Sequence, residues 1–206
     1  QRVVAVRLPS PIYASPAVVG GRVYAQDARG NVVCVDAGTN KVVWATGIGG
    51  VNNTSSPAVA GGRVFVGSSA GYLGILDAVS GRLIRKVSAD GQVITSPAVT
   101  DQAVYFSTTT AKLVKTDFEG NVVWTFDGKG DSYTEFAVRG KEILFVEAMA
   151  KYGGHARVSL LIDGGKTVKR DKKYRATCGA GPLCPTGGPV FGSATQFAVQ
   201  GFDSES

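Results

Sequence analysis

Apolar residues along the chain alternate with polar ones or form short β-branched runs, and turn residues separate these runs. Examples are the runs "RVYA", "RVFV" and "AVYF", which begin at Arg22, Arg63 and Ala103. A period of two residues with Gly- and Asn-rich turns between the runs is typical of antiparallel strands joined by hairpins. The pattern therefore predicts an all-β chain and excludes a helical solenoid.

The same stretch recurs along the chain. The tripeptide Ser-Pro-Ala begins at Ser15, Ser56 and Ser96, with separations of 41 and 40 residues, and an aspartate follows each serine by 21 residues. In the first copy, four strands named A to D are predicted at "SPAVV", "RVYAQD", "NVVCVD" and "KVVWAT". A repeat of about 40 to 45 residues with four antiparallel strands matches a β-propeller blade. We therefore predict a β-propeller of four-stranded antiparallel blades.

Four copies and two partial ones account for the chain. In the fourth copy Asp163 follows Glu135 by 28 residues, so seven residues are inserted around "AKYGGHAR", between predicted strands B and C. We predict a single β-propeller region over 1–206. Its predicted parts are blades at 15–46, 56–88, 96–127 and 134–170, a partial blade at 186–206, and an N-terminal strand at 2–8 that belongs to another blade.

Two arrangements fit these partial blades. In one, the N-terminal strand completes a five-bladed ring whose last blade lacks strand C. In the other, the chain is part of a longer ring, with the remaining blades outside this chain or supplied by a partner chain. We favour the second arrangement, because a ring of four and a half blades would expose unpaired strand edges, which proteins normally cover.

The charge is concentrated in one segment. The chain has a formal net charge of +6, and the segment from Lys166 to Arg175 holds six basic residues and one acidic residue, Asp171. Such a segment fits an anionic partner such as nucleic acid, or a solvated loop, and we favour the loop. Apart from Tyr174 it lacks the interleaved aromatics that stack on bases, so no nucleic-acid partner is expected. No apolar run reaches the roughly 20 residues of a membrane span, and no secretory leader is visible at Gln1.

The stretch "CVDAGTNKVVW", from Cys34 to Trp44, resembles the tryptophan-docking motif of pyrroloquinoline-quinone-like propellers. "ILDAVSGRLIR" and "KTDFEGNVVW" are similar to weaker copies of it. The resemblance implies that the aspartate accepts backbone N–H groups in the C–D turn and that the tryptophan packs on the neighbouring blade. The predicted docking residues are Asp36, Trp44, Asp77, Asp117, Trp124 and Asp163. Arg85 and Arg170 stand at the tryptophan position of the second and fourth copies, so less regular docking is expected there.

The resemblance implies two functional branches. Dehydrogenases of this family bind the quinone and a calcium ion, whereas non-catalytic relatives, such as the lipoprotein of the outer-membrane β-barrel assembly machinery, use the ring as a scaffold. The adjacent cysteines of the catalytic branch are missing here, and both tryptophans sit at docking positions. Asn52 and Asn53 are possible calcium ligands, although a strand-entry loop is the interpretation we favour.

We therefore expect no catalytic residue, no cofactor and no metal, and we predict a non-catalytic scaffold for protein or ligand binding. The alternative is a fragment of a quinone-dependent dehydrogenase whose active-site blades are missing from this chain.

The three cysteines differ in their surroundings. Cys34 lies on a Val-rich strand and is predicted to be a buried free thiol. Cys178 and Cys184 bracket "GAGPL" and form either a short disulfide ring in an oxidising compartment or two reduced loop cysteines. We predict the disulfide and, with it, a periplasmic or extracellular location.

The predicted binding face lies at one end of the fourth blade. In a four-stranded antiparallel blade, the B–C hairpin and the connection to the next blade leave from the same end. The insertion at 151–156 and a basic connection from 171 to 187 should therefore lie side by side, where loops on a rigid scaffold usually carry binding. The predicted contacts are Lys151, Tyr152, His155, Arg157, Lys172, Lys173, Tyr174 and Arg175. We expect a protein partner, with an acidic one favoured, and a second chain that completes the propeller as another candidate.

Overall fold

The strands of the first copy begin and end within two residues of the predicted positions. The computed structural model describes residues 6–130, 134–149, 155–176 and 203–204, and it describes only the backbone at 149, 155, 174–176 and 203–204. Every regular element in this part of the chain is a β-strand. The first sheet consists of β1 Ala17–Val19, β2 Arg22–Gln26, β3 Asn31–Asp36 and β4 Val42–Gly47, paired in that order.

Three further sheets repeat this arrangement. The second consists of β5 Ala58–Ala60, β6 Arg63–Ser68, β7 Tyr72–Asp77 and β8 Leu83–Ser88. The third consists of β9 Ala98–Val99, β10 Val104–Ser107, β11 Lys112–Thr116 and β12 Val122–Asp127. The fourth consists of β13 Thr134–Arg139, β14 Glu142–Met149, β15 His155–Asp163 and β16 Val168–Ala176, with β17 Asp203–Ser204 as a fifth strand. The all-β fold with four-stranded antiparallel blades is thus confirmed; of the predicted strand at 2–8, residues 6–8 are not in a strand.

The chain forms two compact units, Gln1–Thr108 with Val114–Val123 and Thr109–Leu113 with Trp124–Ser206. In the first unit, one cluster of buried side chains joins the first and second sheets and includes Tyr24, Cys34, Trp44 and Val64. Cys34 is a free and fully buried thiol, as predicted, and burial raises its pKa. In the second unit, the Phe126 and Phe145 rings meet edge to face, with centroids 5.9 Å apart.

Trp44 joins the first sheet to a turn of the second. Its indole Nε1 donates to the Ala78 carbonyl at 3.2 Å, and the Tyr24 hydroxyl donates to the same oxygen at 3.2 Å. The Trp44 ring lies against Gly81, where φ is +73° and a Cβ would overlap the ring. Asp77 holds this turn because its Oδ1 accepts the Ser80 N–H at 2.8 Å. The roles implied for the aspartate and the tryptophan are therefore present in this turn.

Arg85 makes the corresponding contact in the second copy. Its Nη1 donates to the Glu119 carbonyl at 3.2 Å and to Asn121 Oδ1 at 2.8 Å, in a turn that Asp117 holds through the Asn121 N–H at 2.7 Å. The acceptor differs from that of Trp44, because Glu119 lies two residues after Asp117 whereas Ala78 lies one residue after Asp77. Docking through Arg85 is in this respect less regular, as expected. A guanidinium supplies the same donor as an indole, and its stem lies over Gly120, where a Cβ would come within 3.1 Å of Arg85 Cδ.

In the second unit, Trp124 docks on a carboxylate. Its Nε1 donates to Asp163 Oδ1 at 3.2 Å, and the same oxygen accepts the Gly165 N–H at 2.7 Å. In the second copy, Asp77 holds the turn and the Ala78 carbonyl accepts the indole N–H. Asp163 does both.

The docking position of the fourth copy is Lys172 and not Arg170. In the first copy, Cys34 pairs with Trp44 and a bulge follows Cys34. In the fourth copy, Leu160 pairs with Lys172 and a bulge follows Leu160, so Lys172 corresponds to Trp44. A bulge cannot be counted from sequence spacing alone, since one extra residue reverses the side to which a strand residue points. Arg170 therefore points to the opposite side of the sheet from Lys172.

We expect Trp44→Ala to lower the free energy of unfolding by about 3 to 5 kcal/mol, because a large buried ring and its hydrogen bond are removed. The exposed neighbour Val43 is the matched control, and Val43→Ala should change stability by less than about 0.5 kcal/mol. Urea unfolding followed by circular dichroism measures both. Equal effects of the two substitutions would show that the docking contact does not stabilise the fold.

Acid should weaken the docking turns. Hydrogen bonds from Thr39 lower the pKa of Asp36, and hydrogen bonds from Ser80 lower that of Asp77. At Asp117 burial acts in the opposite direction, but the hydrogen bonds from Asn121 prevail and the pKa is lowered. A carboxyl whose folded pKa is depressed contributes stability above its unfolded pKa, about 3.9, and loses that contribution as pH falls through the folded value.

The free energy of unfolding should therefore decrease below about pH 4, and the Asp36→Asn, Asp77→Asn and Asp117→Asn triple variant should show a shallower decrease. Thermal unfolding at a series of pH values measures the slope. An unchanged slope in the triple variant would contradict the assignment to these carboxyls.

Candidate functional site

The fourth sheet has the longest strands. β14 has 8 residues and β15 and β16 have 9 each, whereas the strands of the first three sheets have at most 6. The insertion lengthens the hairpin, since β14 and β15 pair as far as Met149 and His155. Because β16 pairs along β15, all three strands extend at the same end of the sheet.

The basic segment is part of a strand, so the expected loop at 171–175 was wrong. Residues from Val168 to Ala176 form β16, which pairs with β15 throughout and places Lys172 opposite Leu160 and Lys173 opposite Ser159. Its charge density suggested a solvated loop, but pairing with an existing strand satisfies the backbone while side chains such as Lys172 stay exposed. Ala156, the last residue of the insertion, pairs with Ala176. Residues 151–154 lie outside the described residues, so the juxtaposition of the insertion with 171–175 stays a prediction.

The predicted contacts have different positions. Lys172 is exposed and Lys173 is half-buried, both on β16. His155, Tyr174 and Arg175 are placed by their backbone, at the same end of the sheet. Lys151, Tyr152, Cys178 and Cys184 lie outside the described residues, so the disulfide stays a prediction.

Arg157 lies beside the buried carboxylate of Glu147. Its Nη1 lies 3.8 Å from Glu147 Oε1, and its side chain is 14% exposed while that of Glu147 is 0% exposed. The backbone N–H groups of Lys129 and Gly130 also donate to Glu147 Oε1, and Arg170 Nη2 lies 4.0 Å from Oε2. Arg157 therefore neutralises a buried charge, which leaves less of its guanidinium for a partner than its sequence position suggested.

The sequence interpretation missed Glu147. The signal was present, because one acidic residue interrupts the apolar run "EILFVEAM" of β14, and a buried carboxylate requires a positive partner and hydrogen bonds. Ser68 holds the same position in the second copy, five residues after the start of its strand, and its hydroxyl donates to the Gly49 carbonyl at 3.0 Å. Both side chains form hydrogen bonds with the connection that leads into their own blade.

Asn53, one of the two residues considered for calcium, uses its amide in hydrogen bonds within the protein. Asn53 is 1% exposed, and its Oδ1 accepts the Ser69 N–H at 2.8 Å while its Nδ2 donates to the Ala28 and Gly49 carbonyls. The Asn53 amide therefore closes a strand-entry loop. Trp44 and Trp124 are engaged in docking contacts, so neither provides a floor for a quinone ring.

The sheets, their repeated order and the docking turns define a β-propeller built from pyrroloquinoline-quinone-like repeats. The chain belongs to the family described as outer membrane protein assembly factor BamB, whose sequence profile matches residues 4–58 and 28–200. No curated protein matches the chain. In the described part of the chain, no helix has the length and hydropathy of a membrane span.

Solved structures share the fold. BamB from Moraxella catarrhalis is 16% identical with a TM-score of 0.58, over 85% of this chain and 58% of that one. The computationally designed Ika4 protein is 17% identical with a TM-score of 0.64, over 80% of this chain and 99% of that one. Hydrazine synthase from Kuenenia stuttgartiensis is 14% identical with a TM-score of 0.64, over 81% of this chain and 51% of that one. The chain thus spans 58% of the length of the Moraxella protein, and at these identities the likeness shows the fold.

We expect Glu147→Ala to lower the free energy of unfolding by about 3 to 5 kcal/mol, because it leaves the Arg157 charge without its partner. The double variant Glu147→Gln with Arg157→Gln should be more stable than Glu147→Ala, since the Arg157 charge is removed together with its partner. Urea unfolding measures both variants. A double variant that is less stable than Glu147→Ala would contradict this role for the pair.

Proposed function

We propose that this chain is a non-catalytic β-propeller scaffold that binds a protein partner in the periplasm or outside the cell. The BamB family and the propeller fold support a binding role in general. The family description, an outer membrane protein assembly factor, supports a partner from that process and a location outside the cytoplasm. The disulfide proposed between Cys178 and Cys184 agrees with such a compartment.

The lengthened, basic β16 is the observation that supports this binding face. Five of its nine residues are basic and one is acidic, and Lys172 is exposed. A surface of one charge speeds encounter with a partner of the opposite charge and disfavours partners of the same charge. We therefore propose that the partner is acidic. The proposed binding face consists of the eight contact residues predicted from the sequence, which lie between Lys151 and Arg175. A second chain that completes the propeller is a further proposed partner.

The partner can be captured by crosslinking. A photoreactive residue at Lys172 should give an adduct in cells of the source organism, whereas the same residue at Lys41, an exposed position in a turn of the first sheet, should not. Fractionation of those cells tests the location, and recovery from the cytoplasm would contradict the proposal. Adducts from Lys41 alone would show that another face binds.

The captured protein should bind less tightly at higher salt, because exposed charges are screened beyond a Debye length of about 8 Å. The triple reversal Lys172→Glu, Lys173→Glu and Arg175→Glu should weaken binding at least about tenfold, since loss of about 1.4 kcal/mol has that effect. The matched control is Lys41→Glu, Arg82→Glu and Lys141→Glu, three exposed residues in turns at the other end of the blades. Arg22 and Arg63 are unsuited as controls, since Arg22 donates to the Ala78 carbonyl and Arg63 pairs with Asp77. Equal losses in both triple variants would refute the assignment of this face.

A further inference from the structure

The outer edge of β16 is already paired. In the first three sheets, the last strand has one neighbour within the described residues, but β16 lies between β15 and β17. β17 is antiparallel to β16 and places Ser204 opposite Tyr174 and Asp203 opposite Arg175. A segment remote in sequence therefore adds to the sheet as a fifth strand.

The charges on the two strands are complementary. β16 is strongly basic, and the segment "FDSES" around β17 contains two acidic residues and no basic one. Residues directly opposite on antiparallel strands have Cβ atoms about 4.5 to 5.5 Å apart, close enough for opposite charges to attract. Asp203 and Arg175 occupy such a pair of positions. Strand addition to an exposed edge is a common way to bind an extended peptide, with backbone hydrogen bonds giving affinity and side chains giving specificity.

We infer that the outer edge of β16 is a binding edge for an extended acidic segment of a partner, and that Asp203–Ser204 occupies this edge within the chain until a partner displaces it. The inference rests on the proposed function and adds the way in which the partner binds. A tethered strand has a high effective concentration, so it competes strongly with a free segment and limits binding to partners that pair well.

The probe is a fluorescent peptide with the sequence of residues 201–206, Gly-Phe-Asp-Ser-Glu-Ser. In the full chain, Asp203→Pro with Ser204→Pro removes both N–H groups, including the one directed at β16, and frees the edge. The peptide should then bind the proline-substituted chain about tenfold more tightly than it binds the unchanged chain. This factor is expected if the edge is free in about a tenth of the unchanged molecules. The matched control is Asp203→Lys, which reverses the charge and keeps the N–H groups, and it should give a smaller gain than the proline pair.

Two methylated probes separate strand pairing from charge attraction. In an antiparallel pair, successive residues direct their N–H groups alternately toward and away from the partner strand. Methylation of the backbone nitrogen at the third or the fourth peptide position keeps every charge, so one of these two peptides should lose binding and the other should retain it. If both bind as the parent peptide does, strand pairing is refuted while the proposed acidic partner still stands. Equal affinity of the parent peptide for the unchanged and the proline-substituted chain would overturn the inference that Asp203–Ser204 occupies the edge.

Discussion

The contact between an outer-strand side chain and the turn of the following copy holds the repeat together. A unit of this size cannot bury the apolar faces of its own sheet, so each copy depends on its neighbour. Trp44 and Arg85 supply the contact within the first unit, and Trp124 supplies it within the second. In each case the donor is a ring or guanidinium N–H, and an aspartate fixes the turn that receives it. The chemistry of the donor group can therefore vary as long as its direction is kept.

This contact constrains one end of a blade more than the other. The C–D turns receive the docking residues, so their length and backbone are constrained by Asp36, Asp77 and their hydrogen bonds. The docking contacts seen among the described residues do not involve the ends of the B–C hairpins, so these ends can lengthen without loss of docking. The growth of β14, β15 and β16 at that end is consistent with this freedom, and the buried Glu147 and Arg157 fasten the lengthened hairpin to the connection before it.

The sequence predicted local features well and nonlocal ones poorly. Strands B to D of the first copy were placed within one or two residues, because alternation and turn residues are read from adjacent positions. The strand character of Lys172 and Lys173 was missed, since it depends on pairing with β15 and not on their own composition. Arg170 was assigned to the docking position because a bulge shifts register without a mark in the spacing. Glu147 was overlooked, although a lone acid in an apolar strand could have directed attention to Arg157.

The charge on β16 can be understood from the requirements of an edge strand. Lysines on an edge normally prevent pairing with other chains, because a second strand would have to approach a row of like charges. The edge of β16 is nevertheless paired, and the segment that pairs with it is acidic. The same lysines that repel a basic strand thus favour an acidic one. Charges that usually prevent pairing at an edge therefore allow pairing with a strand of opposite charge. Because Lys172 beside this edge is exposed, salt should weaken this selectivity.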